Sequence, residues 1–266
     1  MGKKSGICTV LLALCLTLSG CGAQEEKRHI DIELWSNRDY SLWNQELSQT
    51  ILECPYDEVR LLSEGYEELE RALEVLNAEN ADYVGSMYER GIEIVEEGIE
   101  KWNLLANTQI LPFSYSRKIT VLRSDETVVS LFMEDYAWAG GLHPNYYGRG
   151  VCFDPLSGQR LRLADVVTDY DRIYELVLEQ LSSEEYMDQD GNSCLWERYE
   201  ETVKQQFYPQ ESGDEAIKWY LDTEGLKVLF DAYELAPYSE GGQILGFSFE
   251  ELGNLIKHQY ICGSEE

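Results

Sequence analysis

Residues 113–136 read FSYSRKITVLRSDETVVSLFMEDY. Polar and apolar residues alternate with a period of two through Phe113–Arg123, and again through Thr127–Tyr136. The polar triplet Ser124-Asp125-Glu126 separates the two runs. A period of two puts every second side chain on one face of a strand, so this stretch predicts a hairpin.

Upstream of it the period is that of a helix. Tyr66, Leu69, Leu73 and Leu76 recur at spacings of three and four, and NAEN at residues 77–80 reads as an interruption. A longer helix is predicted over Asp82–Trp102, with Val84, Tyr88, Ile92, Val95, Ile99 and Trp102 as its apolar stripe. Glutamates 89, 93, 96, 97 and 100 line the other side, which reads as a solvated face. Nearer the N-terminus, His29–Trp35 and Leu47–Glu53 read as strands.

Downstream, Tyr146–Phe153 reads as a third strand, ended by the turn DPLSG. LADVV reads as a helical turn and Tyr170–Leu181 as a helix buried through Ile173, Val177 and Leu181. Trp196, Tyr199, Val203 and Phe207 stripe another helix. Strands return at Ile217–Asp222 and Leu226–Asp231 around a TEG turn, and a last strand ends at Phe247. Ser248 and Glu251 then form an S-x-x-E capping box for a C-terminal helix. Strands gathered in groups, with helices between the groups, predict an α+β fold of antiparallel sheets with packed helices. The length permits two subdomains, a helix-rich one at 30–111 and an α+β one at 112–262.

The chain opens MGKKSGICTVLLALCLTLSGCGAQEEKR. Lys3 and Lys4 make a positive start, Ile7–Leu18 an apolar run shorter than an ordinary membrane span, and Leu18-Ser19-Gly20-Cys21 a bacterial lipobox. Residues 1–20 are therefore expected to be a lipoprotein signal peptide, with the Cys21 thiol acylated. Residues 21–29 would form a short tether, whose polar stretch Gly22–Arg28 reaches about 25 Å at full extension. This places the chain on the extracytoplasmic face of the cell membrane, held by lipid.

Formal charge is −29, and removing residues 1–20 leaves 50 acids against 19 bases. A surface of that sign excludes nucleic acid, whose phosphates need a basic one, and suits a cationic partner. Of seven cysteines, Cys8, Cys15 and Cys21 lie in the signal region. Cys54, Cys152, Cys194 and Cys262 remain as disulfide candidates in an oxidising compartment, with three full pairings open and buried thiols as the other reading. No C-x-x-C occurs, so neither a zinc site nor a redox pair is expected.

No sharp catalytic motif appears. The segment AGGLHPNYYGRG carries His143 without a G-x-S-x-G or H-E-x-x-H context, and its glycines and proline suit a corner in the sheet. Asp188, Asp190 and Asn192 alternate as in a calcium loop. Glycine and glutamate are missing at the sixth and twelfth positions, so a solvated turn is expected. No cofactor or metal is called for, and an enzyme is not expected. The candidate contact residues are Trp138, His143, Tyr146, Tyr147 and Tyr238, since tyrosine and tryptophan combine an apolar body with a polar handle. Alternation forbids Tyr146 and Tyr147 from both pointing inward.

Three groups of residues together carry a resemblance: G-G-x-H-P-N at Gly140–Asn145, F-D-x-x-x-G-x-x-L-x-L-x-D at Phe153–Asp165, and YELAPY at Tyr233–Tyr238. They resemble the extracellular domain of RsiV-type anti-sigma factors, receptors that sense lysozyme. The same domain, of otherwise unknown function, also precedes the catalytic domain in some peptidoglycan deacetylases. The resemblance covers Thr127–Ile256 well and the N-terminal half more weakly. It implies a non-catalytic envelope module that binds lysozyme or another cationic protein in a cleft between sheet and helices. Two alternatives stand beside it. A peptidoglycan-binding module would line a groove with Trp138 and Trp196, and a cell-wall hydrolase would need a carboxylate pair about 5–9.5 Å apart.

Overall fold

The computed structural model describes residues 28–45, 48–102, 113–139, 142–209 and 216–262, without the side chains of 99–102. The signal segment, the expected acylation site Cys21 and the Gly140-Gly141 pair lie outside the described residues.

The predicted hairpin forms, as β5 (Ser114–Ser124) and β6 (Val129–Trp138), and β7 (Asn145–Phe153) extends it. Around these build β1 (Ile32–Asn37) and β4 (Tyr56–Leu61), in the order β1-β4-β5-β6-β7. Strands β2 (Ser41–Asn44) and β3 (Gln49–Glu53) form a separate pair. The sheets are antiparallel except for one short parallel contact, Tyr56 opposite Arg117 between β4 and β5. The expected boundary at residues 111/112 does not divide the main sheet, because β1 and β4 precede it and β5 follows.

Helix α1 (Glu67–Trp102) is a single element, not the interrupted pair expected at NAEN. The two asparagines that would break it are engaged by the sheet instead. Asn77 donates from Nδ2 to Val59 O (2.8 Å) and accepts from Val59 N (2.9 Å). Asn80 accepts from Arg117 Nη1 at 3.1 Å. An asparagine side chain with tertiary partners no longer competes for its own helix backbone. The same bonds mend the sheet: where β4 leaves β5, Asn77 satisfies Val59, and Asp57 accepts the Ile119 N–H at 3.0 Å.

Tyr66, just before α1, and Leu69, Leu73 and Leu76 of its first turns are buried with Ile119, Leu131 and Val151 of the sheet. Farther along, Val84 and Val95 pack with Leu52, Tyr56 and Tyr115. The third core lies under the C-terminal half. There α2 (Leu163–Val166), α3 (Tyr170–Leu181), α4 (Tyr199–Phe207) and α5 (Phe249–Leu252) pack with β8 (Lys218–Leu221), β9 (Gly225–Phe230) and β10 (Gln243–Ser248). These strands form a second sheet in the order β10-β9-β8. The capping box forms as expected, Glu251 N–H to Ser248 Oγ and Ser248 N–H to Glu251 Oε2. The aspartate-rich loop is a turn in which Asp188 accepts the N–H groups of Asp190 and Asn192.

The candidate disulfides are not formed. Cys54 is buried with Ile51 and Tyr56, while Cys152 is buried in the C-terminal core, its thiol donating to Ser130 Oγ at 3.4 Å. Two thiols in separate cores cannot meet. Cys194 and Cys262 are half-buried and bridge to neither. Among the described residues no helix is long and apolar enough to cross a membrane.

Candidate functional site

The β6–β7 connection and the loop after β9 meet. His143 lies flat on Tyr238, ring centroids 3.6 Å apart at 15°. Its Nε2 is 3.1 Å from the Tyr233 hydroxyl and its Nδ1 is 3.1 Å from Pro144 O. A carbonyl can only accept, so Nδ1 carries a proton, and in the neutral imidazole Nε2 accepts from the Tyr233 hydroxyl. The Tyr238 hydroxyl donates to Pro144 O at 2.8 Å. Tyr233 holds a φ of 72°, a left-handed angle rare outside glycine, and these ring contacts accompany it. His143 thus has both nitrogens engaged in a corner, as its sequence context suggests.

Beside this corner the two sheets splay apart around a cleft of about 210 Å³. One wall is Phe132 and Glu134 of β6 with Tyr146 and Gly148 of β7. The other is Leu229 of β9, Tyr238, and Gln243 and Ile244 of β10. The cleft therefore lies between two sheets rather than between sheet and helices. Farther along β7 the two sheets come closest, for a Cβ placed on Gly150 would lie 1.9 Å from Trp219 O of β8. Only glycine allows main chains to approach so closely.

Register decides where the two tyrosines point. Tyr146 is opposite Tyr136 and Tyr147 opposite Asp135, so they occupy opposite faces of the sheet. Tyr146 sets its ring edge-on to Tyr136 at 5.4 Å, on the cleft side. Tyr147 meets the cleft only at its rim. Each is 47% exposed, and Ile244 across from them is 55% exposed.

Two carboxylates border the cleft and differ in state. Asp231 accepts the Gly148 N–H at 2.8 Å through Oδ1 and pairs through Oδ2 with Lys218, which also binds Glu234 at 2.8 Å. One oxygen therefore ties the second sheet to β7 and the other binds Lys218 within the second sheet. Glu134 is exposed, and no cation among the described residues pairs with it.

Of the sequence candidates, Tyr146, Tyr147 and Tyr238 line the cleft and His143 braces it. Trp138 ends β6, and Trp196 is 46% exposed ahead of α4; neither lines the cleft. Sequence reasoning missed Phe132, Leu229, Glu134 and Ile244. Ile244 carried a signal, since Ile244 and Gly246 alternate with buried Leu245 and Phe247 in GGQILGFS and so mark an outward strand face.

No protein-family model matches the chain, and no curated protein does. Solved structures do. A member of the DUF3298 family from Bacteroides fragilis aligns with a TM-score of 0.60 at 14% identity, over 90% of this chain and 98% of that one. A DUF3298 family protein from Pseudomonas aeruginosa PAO1 aligns with a TM-score of 0.47 at 13% identity, over 90% and 99%. The first likeness shows that this α+β architecture is the fold of a domain family of unknown function.

Proposed function

We propose that the chain is a non-catalytic binding module, held on the outer face of the cell membrane by a lipid on Cys21, and that its cleft receives a cationic protein such as lysozyme. The observation that carries the reading is the lip of the cleft. Tyr146, Tyr147 and Ile244 are about half exposed around an apolar floor, with the exposed carboxylate of Glu134 beside them, in a chain of formal charge −29. Exposed apolar surface grouped around a concavity marks a contact site, and a negative field speeds encounter with a basic partner.

The resemblance to RsiV-type receptors supports the same reading, because the residues that carry it include the corner His143–Asn145 and the Tyr233–Tyr238 loop stacked on it. The protonated Nδ1 of His143 and the doubly engaged Asp231 are occupied in holding structure, which favours binding over bond breaking. A glycan module would present tryptophan in the cleft; its walls carry tyrosine, phenylalanine and isoleucine instead.

The test is a pull-down of lysozyme on the immobilised mature chain across a salt series. Binding at low salt that weakens as salt rises is expected. No binding at low salt removes lysozyme as partner, and binding indifferent to salt removes the electrostatic half of the reading.

A further inference from the structure

Strand β10 ends the second sheet, and its outer edge has no strand neighbour among the described residues. Register fixes which of its backbone groups face outward. The Phe249 N–H donates to Glu224 O at 3.0 Å just beyond the strand. Bonded and non-bonded residues alternate back along the antiparallel pairing, which sets Phe247 opposite Leu226 and Leu245 opposite Val228. Leu245 and Phe247 therefore bond to β9, and the N–H and C=O groups of Ile244 and Gly246 point away from it. Ser248 obeys the same alternation, since its N–H is turned outward and taken by Glu251 Oε2 at 2.8 Å.

Ile244 and Gly246 are both exposed, and so is Gly242 at the start of the strand. Edges of sheets are ordinarily guarded by charge, proline or a bulge. The strand QILGFS carries no charged residue and no proline, and its pairing to β9 runs without a register shift. This unguarded edge borders the cleft, whose wall Ile244 shares with Leu229 directly across the pair.

We infer that the partner is read by strand addition: an extended segment of a cationic protein pairs along the free edge of β10, sets one apolar side chain between Tyr146 and Ile244, and brings an adjacent lysine or arginine to Glu134. The inference rests on the reading that a cationic protein binds at this cleft. Charge chooses this occupant over a second copy of the chain, because two bodies of formal charge −29 repel. Main-chain bonds supply affinity in this mode and the side-chain pocket supplies selectivity.

The experiment is amide hydrogen exchange on the mature chain, free and saturated with lysozyme, together with titration of a Gly246→Pro variant. An edge strand tolerates proline where the lost N–H faces outward. The nearest atoms to a Cβ at position 246 belong to the flexible Lys227 side chain, from 3.2 Å, not to backbone. The expected result is slowed exchange at Ile244 and Gly246 in the complex and about tenfold weaker binding by the variant. Lysozyme binding with no slowing at these two amides overturns strand addition and leaves the binding reading standing. No binding at all overturns the reading beneath it, and strand addition with it. If Gly246→Pro does not fold, exchange in the unaltered chain decides alone.

Discussion

The imidazole of His143 stacks on the phenol of Tyr238, 3.6 Å apart and 15° from parallel, and joins two loops that lie far apart in the chain. The contact is reinforced by Tyr233 on Nε2 and by the Tyr238 hydroxyl on Pro144 O. It fixes the entry to β7, and with it the direction in which Tyr146 meets the cleft.

Replacing His143 by alanine removes the ring contact and leaves the Tyr233 hydroxyl without its acceptor. A stacked pair contributes about 0.5–1.5 kcal/mol beyond burial, so a loss of about 1–2 kcal/mol in urea unfolding is expected. His143→Phe should keep the stack and recover part of the loss. Exchange should quicken around residues 142–147 and 233–238 and stay unchanged at Leu131. A His143→Ala variant as stable as the parent would show that the corner stands without this stack.

The buried Arg117–Asp135 pair forms two bonds of 2.6 Å, with Arg117 3% exposed. Tyr83 lies over the guanidinium at 4.3 Å. Arg149 stands nearby, and burial first, then repulsion from Arg117, lowers its pKa. Removing Asp135 leaves positive charge buried without its counterion. Asp135→Ala should therefore cost about 3–5 kcal/mol, and the double variant Arg117→Met/Asp135→Leu should recover most of it. Equal losses in the single and double variants would argue that the pair's shape matters rather than its charge.

Much of this fold was legible in the sequence, and the failures have physical reasons. Period alone placed β5, β6, β7 and α3, because apolar residues recur along them at strand or helix spacing even where Arg117 and Asp135 share the buried face. It broke α1 at Asn77–Asn80, since the partners that quiet those asparagines, Val59 and Arg117, are distant in the chain. It missed β4, which closes its gap to β5 with Asp57 and Asn77 side chains. The sequence read the G-G-x-H-P-N segment as a corner and named Tyr146, Tyr147 and Tyr238, which line one cleft in the structure. Leu229 and Ile244 were not named, because their closeness to Tyr146 depends on how two sheets cross.

That crossing depends on Gly150. Any side chain there strikes the Trp219 carbonyl, which is main chain and cannot swing aside. Gly150→Ala should cost about 2–3 kcal/mol and push the sheets apart where β7 meets β8. Thermal unfolding reads the first effect, and quicker exchange at Trp219 and Val151 reads the second. Gly191→Ala serves as a comparison, since nothing lies near a Cβ there, although its φ of +80° carries a smaller strain cost.

The core under α1 should fail in alkali. Burial first, and then Glu53, pushes the Cys54 thiol up from near 9 to about 12. Burial and Glu58 push Tyr56 up from near 10 to about 12, and burial also raises Tyr115. A folded state with raised pKa values favours the protonated forms. Their contribution is whole below pH 9, where the unfolded thiol is also protonated, and is lost as pH rises toward 12. Stability from urea unfolding should be level with respect to these groups up to about pH 9 and fall thereafter, each group adding at most about 1.4 kcal/mol per pH unit. Cys54→Ala removes one titrating group, so its curve should start lower, from lost packing, but descend less steeply between pH 9 and 11. Parallel curves for parent and variant would mean that the thiol ionises as readily in the folded chain as in the unfolded one, and that Cys54 is not sealed in this core.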